Sequence, residues 1–132
     1  MGNIVKFFIK IGFVNVNARP FIFPTNDTLL HLAVVCRWLE VVKFLIENGA
    51  DVNVINDFNE TPLHLITVPD NDINDDDEEM VLEIVKVLCK NGANVNAKNY
   101  QDCSPVDIAL QNGDYRILDH LIPFKASIPI WG

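Results

Sequence analysis

The chain has 132 residues, 49% of them hydrophobic, enough for one domain with a buried core. Its formal net charge of −8 works against nucleic acid and anionic membrane surfaces, so the expected partner is a protein, a basic one being favoured by charge. Three cysteines, odd in number and outside CxxC pairs, suggest neither a disulfide framework nor zinc; they fit a reducing compartment, the cytoplasm or alternatively the nucleus.

The first predicted element runs from Ile4 to Gly12. Lys6 and Lys10 interrupt its apolar run and no small-residue cleavage site follows, which argues against a signal peptide. No stretch is long and apolar enough to span a bilayer. Gly2 stands where myristoylation needs it, but Lys6 occupies the place where that motif takes Ser or Thr. Next comes ARPFIFPTN at 18–26, with Phe21, Ile22 and Phe23 between prolines that keep it extended. Two explanations stand for these apolar residues: packing against a unit N-terminal to them, or contact with a partner.

Three related segments follow: TLLHLAV at 28–34, TPLHLIT at 61–67 and SPVDIAL at 104–110, with starts 33 and 43 residues apart. ENGADVN at 47–53 and KNGANVN at 90–96 repeat the 43-residue step, so ten extra residues lie inside the middle unit. Thr28, Thr61 and Ser104 are placed as N-caps, and Pro62 and Pro105 stand at the first helical position, where a missing N–H costs nothing. Leu30, Leu32 and Ala33 give one inner helix its apolar stripe, and Val41, Val42, Phe44 and Leu45 give the outer helix its own. Gly49 and Gly92 are expected to end outer helices in the left-handed region. Aligning VVKFLIENGADVN with the N-terminus makes Ile4–Gly12 an outer helix without its inner partner, so the chain starts mid-unit.

A 33-residue period with TPLHL and GADVN resembles the ankyrin-repeat family from Ile4 to Ile122. The resemblance implies an all-α ankyrin-repeat solenoid: three helix pairs preceded by an orphan outer helix, joined by β-hairpin fingers. The single domain 1–132 then divides into a half repeat and long finger (4–27), a repeat (28–60), a repeat with an acidic insertion at 69–80 (61–103), a terminal repeat (104–122) and a tail (123–132). Where the family favours glycine before each inner helix, this chain has Asn26, Asn59 and Asp102, types that tolerate positive φ. Where the family has Gly-His between helices, Arg37-Trp38 stands instead; loss of the glycine predicts a different turn there. Trp38 is expected half exposed, packed on the neighbouring insertion or acting as a contact hot spot.

His31 and His64 occupy the slot that the family uses for hydrogen bonds between repeats, so they read as structural; Asp107 replaces histidine in the third copy, and that last bond must be made differently or lost. No nucleophile-and-base set recurs, and the expectation is a non-catalytic protein-protein interaction module, part of a larger protein, with no cofactor. By the resemblance, partner contacts map to finger tips and exposed inner-helix positions: Arg19, Phe21, Phe23, Ile55, Asp57, Phe58, Lys98, Tyr100 and Gln101, with Val35, Arg37 and Thr67 beside them.

The insertion holds seven carboxylates within ten residues: Asp70, Asp72, Asp75, Asp76, Asp77, Glu78 and Glu79. It reads as a solubilising loop or as an acidic docking loop for a basic partner, with Pro69 closing the inner helix and Asp75 to Glu79 leading into the outer one. A calcium-responsive module is an alternative, since Asp72, Asn74, Asp76 and Glu83 fall at EF-hand spacing. Against it, Asp77 takes the obligatory glycine position and Glu83 belongs to a periodic helix, so no metal site is assigned. A narrower resemblance in layout, over residues 28–122, is to the C-terminal repeats of Fem-type cullin ubiquitin-ligase substrate receptors, which implies a substrate-receptor or regulatory fragment as a further alternative. No functional residue of that family carries over. Two end effects are expected as well: self-association through an uncapped N-terminal end at Phe7, Phe8 and Ile9, and a tail, KASIPIWG, folded back over the last repeat.

Overall fold

The computed structural model describes residues 15–19, 25–66 and 75–125. Six helices and a closing turn occupy them: α1 (Leu29–Val35), α2 (Leu39–Glu47), α3 (Pro62–Ile66), α4 (Asp75–Lys90), α5 (Pro105–Asn112), α6 (Tyr115–Leu121) and a 3₁₀ turn at Ile122–Lys125. The predicted helix at Ile4–Gly12, with Phe7, Phe8 and Ile9, lies outside the described residues, as does the tail from residue 126.

Three helix pairs stack in two rows. The inner helices α1, α3 and α5 pack in sequence, the outer helices α2, α4 and α6 do the same, and each inner helix packs on its own outer partner. Between the rows runs one apolar core: Leu30, Val34, Val42 and Leu45 from the first pair, Leu63, Ile84, Val85 and Leu88 from the second, Val106, Ala109, Leu118 and Leu121 from the third. Each large side chain there contributes roughly 2 kcal/mol by leaving water. No pair can bury its apolar faces alone, so stability depends on the joints between pairs.

Helix starts follow the sequence expectation. Thr28 Oγ1 accepts from the His31 N–H, Thr61 from His64 and Ser104 from Asp107, while Pro62 and Pro105 open α3 and α5. Gly49 follows α2 at φ 94° and Gly92 follows α4 at φ 93°. A Cβ would meet nothing within 4 Å at either place, so it is the backbone conformation, not space, that selects glycine. Asn26, Asn59 and Asp102 hold φ of 59°, 56° and 60°, the left-handed conformation their type predicted.

Three expectations need correction. Arg37 does not force a new turn: it adopts φ 58° itself, close to the 67° of Gly113 in the last unit. The closing bonds match, Trp38 N–H to Ala33 O at 2.9 Å against Asp114 N–H to Ala109 O at 3.0 Å. A left-handed arginine costs about 1 kcal/mol, less than surrendering the bonds that end the helix. The fingers, expected as β-hairpins, contain no strand among the described residues. The second half of the acidic run, expected as the loop that leads into the outer helix, is itself the start of α4, which begins at Asp75.

Candidate functional site

Thr28 and His31 form a reciprocal cap. The Thr28 N–H approaches His31 Nδ1 at 3.2 Å and its hydroxyl lies 2.9 Å from the same nitrogen. Nδ1 is therefore an acceptor, which puts the ring proton on Nε2, and Nε2–H donates at 2.8 Å to the carbonyl of Glu60, the residue just before the Thr61 cap of α3. His64 repeats this, with the Thr61 N–H at 3.0 Å from Nδ1 and Cys103 O at 3.0 Å from Nε2. Both rings are fully buried. Burial holds each below the ordinary imidazole pKa, against the opposing pull of the carbonyl it meets. With both nitrogens engaged, neither ring offers a site for general-base chemistry.

In the third unit Asp107 keeps the cap and, among the described residues, has no counterpart of the histidine Nε2 bond. Ser104 N–H donates to Asp107 Oδ2 at 3.0 Å, and Lys98 Nζ reaches the same oxygen at 3.3 Å. The Ser104 bond is the main cause of that carboxyl's lowered pKa, with Lys98 adding to it.

Asparagines, not strands, shape the fingers. Asn56 Oδ1 accepts from the Phe58 and Glu60 N–H groups at 2.9 and 3.0 Å, and Asn99 Oδ1 accepts from Gln101 and Cys103 at 2.9 and 3.0 Å. In each finger one backbone bond spans the base, Asn56 N–H to Glu60 O and Asn99 N–H to Cys103 O. A single such bond makes a closed turn, not a ladder. Neighbouring fingers are joined in the same sparing way, by Asp57 N–H to Thr25 O and Tyr100 N–H to Phe58 O, each at 3.0 Å. At the finger bases Asn17 Oδ1 accepts from Asp51 N–H at 2.9 Å and Asn53 Oδ1 from Asn94 N–H at 2.7 Å. Sequence reading missed these four asparagines, although Asn56 and Asn99 recur at the same 43-residue step as the glycines.

On this frame the predicted contact residues divide. Val35, Trp38, Ile55, Phe58 and Tyr100 are five of the nine large hydrophobic side chains exposed among the described residues. The Phe58 and Tyr100 rings, on adjacent finger tips, lie 5.3 Å apart at a tilt of 50°, a favourable aromatic pairing that still leaves them 42% and 59% exposed. Asp57 and Gln101 are exposed beside them. Lys98 is exposed but paired with Asp107, and Arg37 is half-buried in its turn. Arg19, expected to meet a partner, donates to Asn26 O at 2.8 Å and Ile55 O at 2.9 Å, so its charge binds the first finger to the second. Phe21, Phe23 and Thr67 lie outside the described residues.

Of the acidic run, Asp70 and Asp72 are likewise outside the described residues, while Asp75, Asp76, Asp77, Glu78 and Glu79 lie in the first turns of α4. Carboxylates in a first helical turn favour the positive end of the helix dipole in general. Glu78 Oε2 also pairs with Arg116 Nη1 at 2.8 Å, linking α4 to α6. The helix removes the calcium alternative as it was framed: Asp76 and Glu83, the fifth and twelfth positions of an EF-hand loop, are separated by seven helical residues, roughly 10 Å of rise, instead of folding around one ion. Cys89 is buried and its thiol is pushed up to about 11, which makes it a packing residue and not a nucleophile.

Residues 1–73 match a family model described as ankyrin repeats (3 copies), and residues 79–122 match another described as ankyrin repeats (many copies). Among curated proteins, the chain is similar to the probable 26S proteasome regulatory subunit p28 of Saccharomyces cerevisiae, 60% identical over 37 residues, which is 28% of this chain and 16% of that protein. It is also similar to the putative ankyrin repeat protein FPV222 of fowlpox virus, 40% identical over 43 residues, 33% of this chain and 6% of that protein. The matches therefore span under a fifth of either relative's length, little more than one 33-residue period.

Proposed function

The chain belongs to the ankyrin-repeat family, and from that premise we propose that it is a non-catalytic interaction module that grips a protein partner with its finger tips, centred on Phe58 and Tyr100. One observation carries this reading: two neighbouring fingers present a touching aromatic pair to solvent, with Ile55 exposed on the same finger as Phe58. Isolated exposed apolar residues are ordinary on any surface, whereas a paired aromatic cluster held by rigid turns is what interface anchors require. The exposed Asp57 and Asp102 and the net charge of −8 favour basic residues around the partner's apolar contact. The two curated relatives share about one repeat each with this chain, so they support the repeat and not a particular partner.

Quantitative affinity capture from lysate tests the proposal. The finger variant Phe58→Ser/Tyr100→Ser is compared with an outer-helix variant, Lys43→Ser/Lys86→Ser. The expected result is a protein captured by wild type and by the outer-helix variant but lost with the finger variant. Capture that survives the finger change and fails with the outer-helix change would place the contact on the opposite face.

A further inference from the structure

Three asparagines in the chain precede glycine: Asn48, Asn91 and Asn112. All three are exposed at the end of a helix, the first two directly after α2 and α4 and the third as the last residue of α5. At Asn48 and Asn91 the same bonds recur. Each side-chain Nδ2 donates to the carbonyl four residues back, Phe44 O at 2.8 Å and Val87 O at 2.7 Å. Each following glycine N–H is engaged as well, Gly49 with Ile46 O at 3.1 Å and Gly92 with Cys89 O at 3.2 Å.

An Asn-Gly pair is reactive because no Cβ on the second residue shields its backbone nitrogen. Once water takes the glycine N–H proton, that nitrogen attacks the asparagine Cγ; an N–Cγ bond forms, the Cγ–Nδ2 bond breaks and ammonia leaves. Water then opens the resulting cyclic imide to aspartate or isoaspartate, with no oxidation or reduction. In the two folded helix ends both reacting groups are occupied: a carbonyl holds the glycine proton, and the amide is drawn back along the helix by its own bond.

We propose that Asn48 and Asn91 are modification sites gated by the fold: the last turns of α2 and α4 keep them as amides, and each local opening exposes them to deamidation that then hinders reclosure. Helix ends open at little free-energy cost, so the gate is tested continually. The product does not fit the closed end. An aspartate cannot donate to the Phe44 or Val87 carbonyl, and it sets a negative charge at the negative end of the helix dipole. An isoaspartate adds a methylene to the backbone just before Gly92, whose carbonyl accepts from Asn53 Nδ2 at 3.0 Å. That bond joins the bases of neighbouring units, so the change at Asn91 loosens the stack as well as the helix.

Peptide mass mapping of the full chain, aged in mildly alkaline buffer with and without urea, tests the gate. Conversion at Asn48 and Asn91 should be at least about tenfold slower in the folded protein than in urea. Leu45→Ala and Leu88→Ala, which remove buried side chains of α2 and α4, should raise the folded-state rate at Asn48 and Asn91 respectively and leave the rate in urea unchanged. Equal wild-type rates with and without urea would overturn the proposal, and so would folded-state rates untouched by both substitutions. Because either substitution can unfold the chain, Asn48→Asp and Asn91→Asp provide a second measure: each should lower the urea midpoint and speed amide exchange at its own helix end severalfold. An unchanged midpoint with unchanged exchange would equally overturn it.

Discussion

Lowering the pH from 7.5 to 5.5 should weaken this fold at its two joints. His31 and His64 are bound in the neutral form, each with Nδ1 accepting from a threonine N–H and Nε2–H donating to a carbonyl of the next finger. Protonation turns Nδ1 into a donor facing a donor, so the cap fails on the proton's arrival. The folded pKa values are depressed by burial, so between the ordinary imidazole value near 6.5 and the folded value the unfolded chain binds more protons. The stability these rings provide is thus fully present above about 6.5 and is lost as pH falls from there through the depressed folded values. For rings that stay neutral when folded, two protons give a ceiling of about 2.7 kcal/mol at pH 5.5. Asp27 and Glu60 lie near His31, with Glu60 also near His64; they favour the protonated rings and bring the loss below that ceiling, while Arg19 acts the other way at His31. Urea melts at pH 7.5, 6.5 and 5.5 measure the slope, and His31→Asn and His64→Asn should each cut it by about half. A flat or rising stability over this range, or a slope untouched by both substitutions, would refute the reasoning.

Two further outcomes concern the turns. Replacing Arg37-Trp38 with the Gly-Asp of the last unit should stabilise the fold by about 1–2 kcal/mol, because glycine relieves the left-handed arginine and Asp114 already caps α6 through the Ile117 N–H. Denaturant midpoints check this, and an unchanged midpoint would mean that the wild-type turn is unstrained. Asn56→Ala and Asn99→Ala should each cost about 2–3 kcal/mol, since each leaves two finger N–H groups without their acceptor; Gln101→Ala, on an exposed tip, should be near neutral in the same assay.

Much of this architecture could be read from residues alone, because the repeat fixes what each position must do. Spacings of 33 and 43 placed the caps at Thr28, Thr61 and Ser104, and residue type anticipated positive φ at Asn26, Asn59 and Asp102. Reading failed where two weak terms competed. At Arg37 a strain of about 1 kcal/mol was weighed as decisive, yet the helix-ending bonds outweigh it. At Asp75 the run reads as loop leading into the outer helix, and the helix takes in Asp75 to Glu79 themselves. At Arg19 a charged side chain on a finger looked free for a partner, and only the fold reveals that two carbonyls converge on it. The finger asparagines went unread because polar residues in a turn look interchangeable until their bonds are counted.

The partner site proposed above is the finger tips, led by Phe58 and Tyr100. A photo-crosslinking amino acid placed at position 58 or 100, and at Lys86 on an outer helix, tests it most directly. Positions 58 and 100 should give a covalent adduct with the same protein and position 86 none; adducts from position 86 with neither finger tip reacting would place the partner elsewhere.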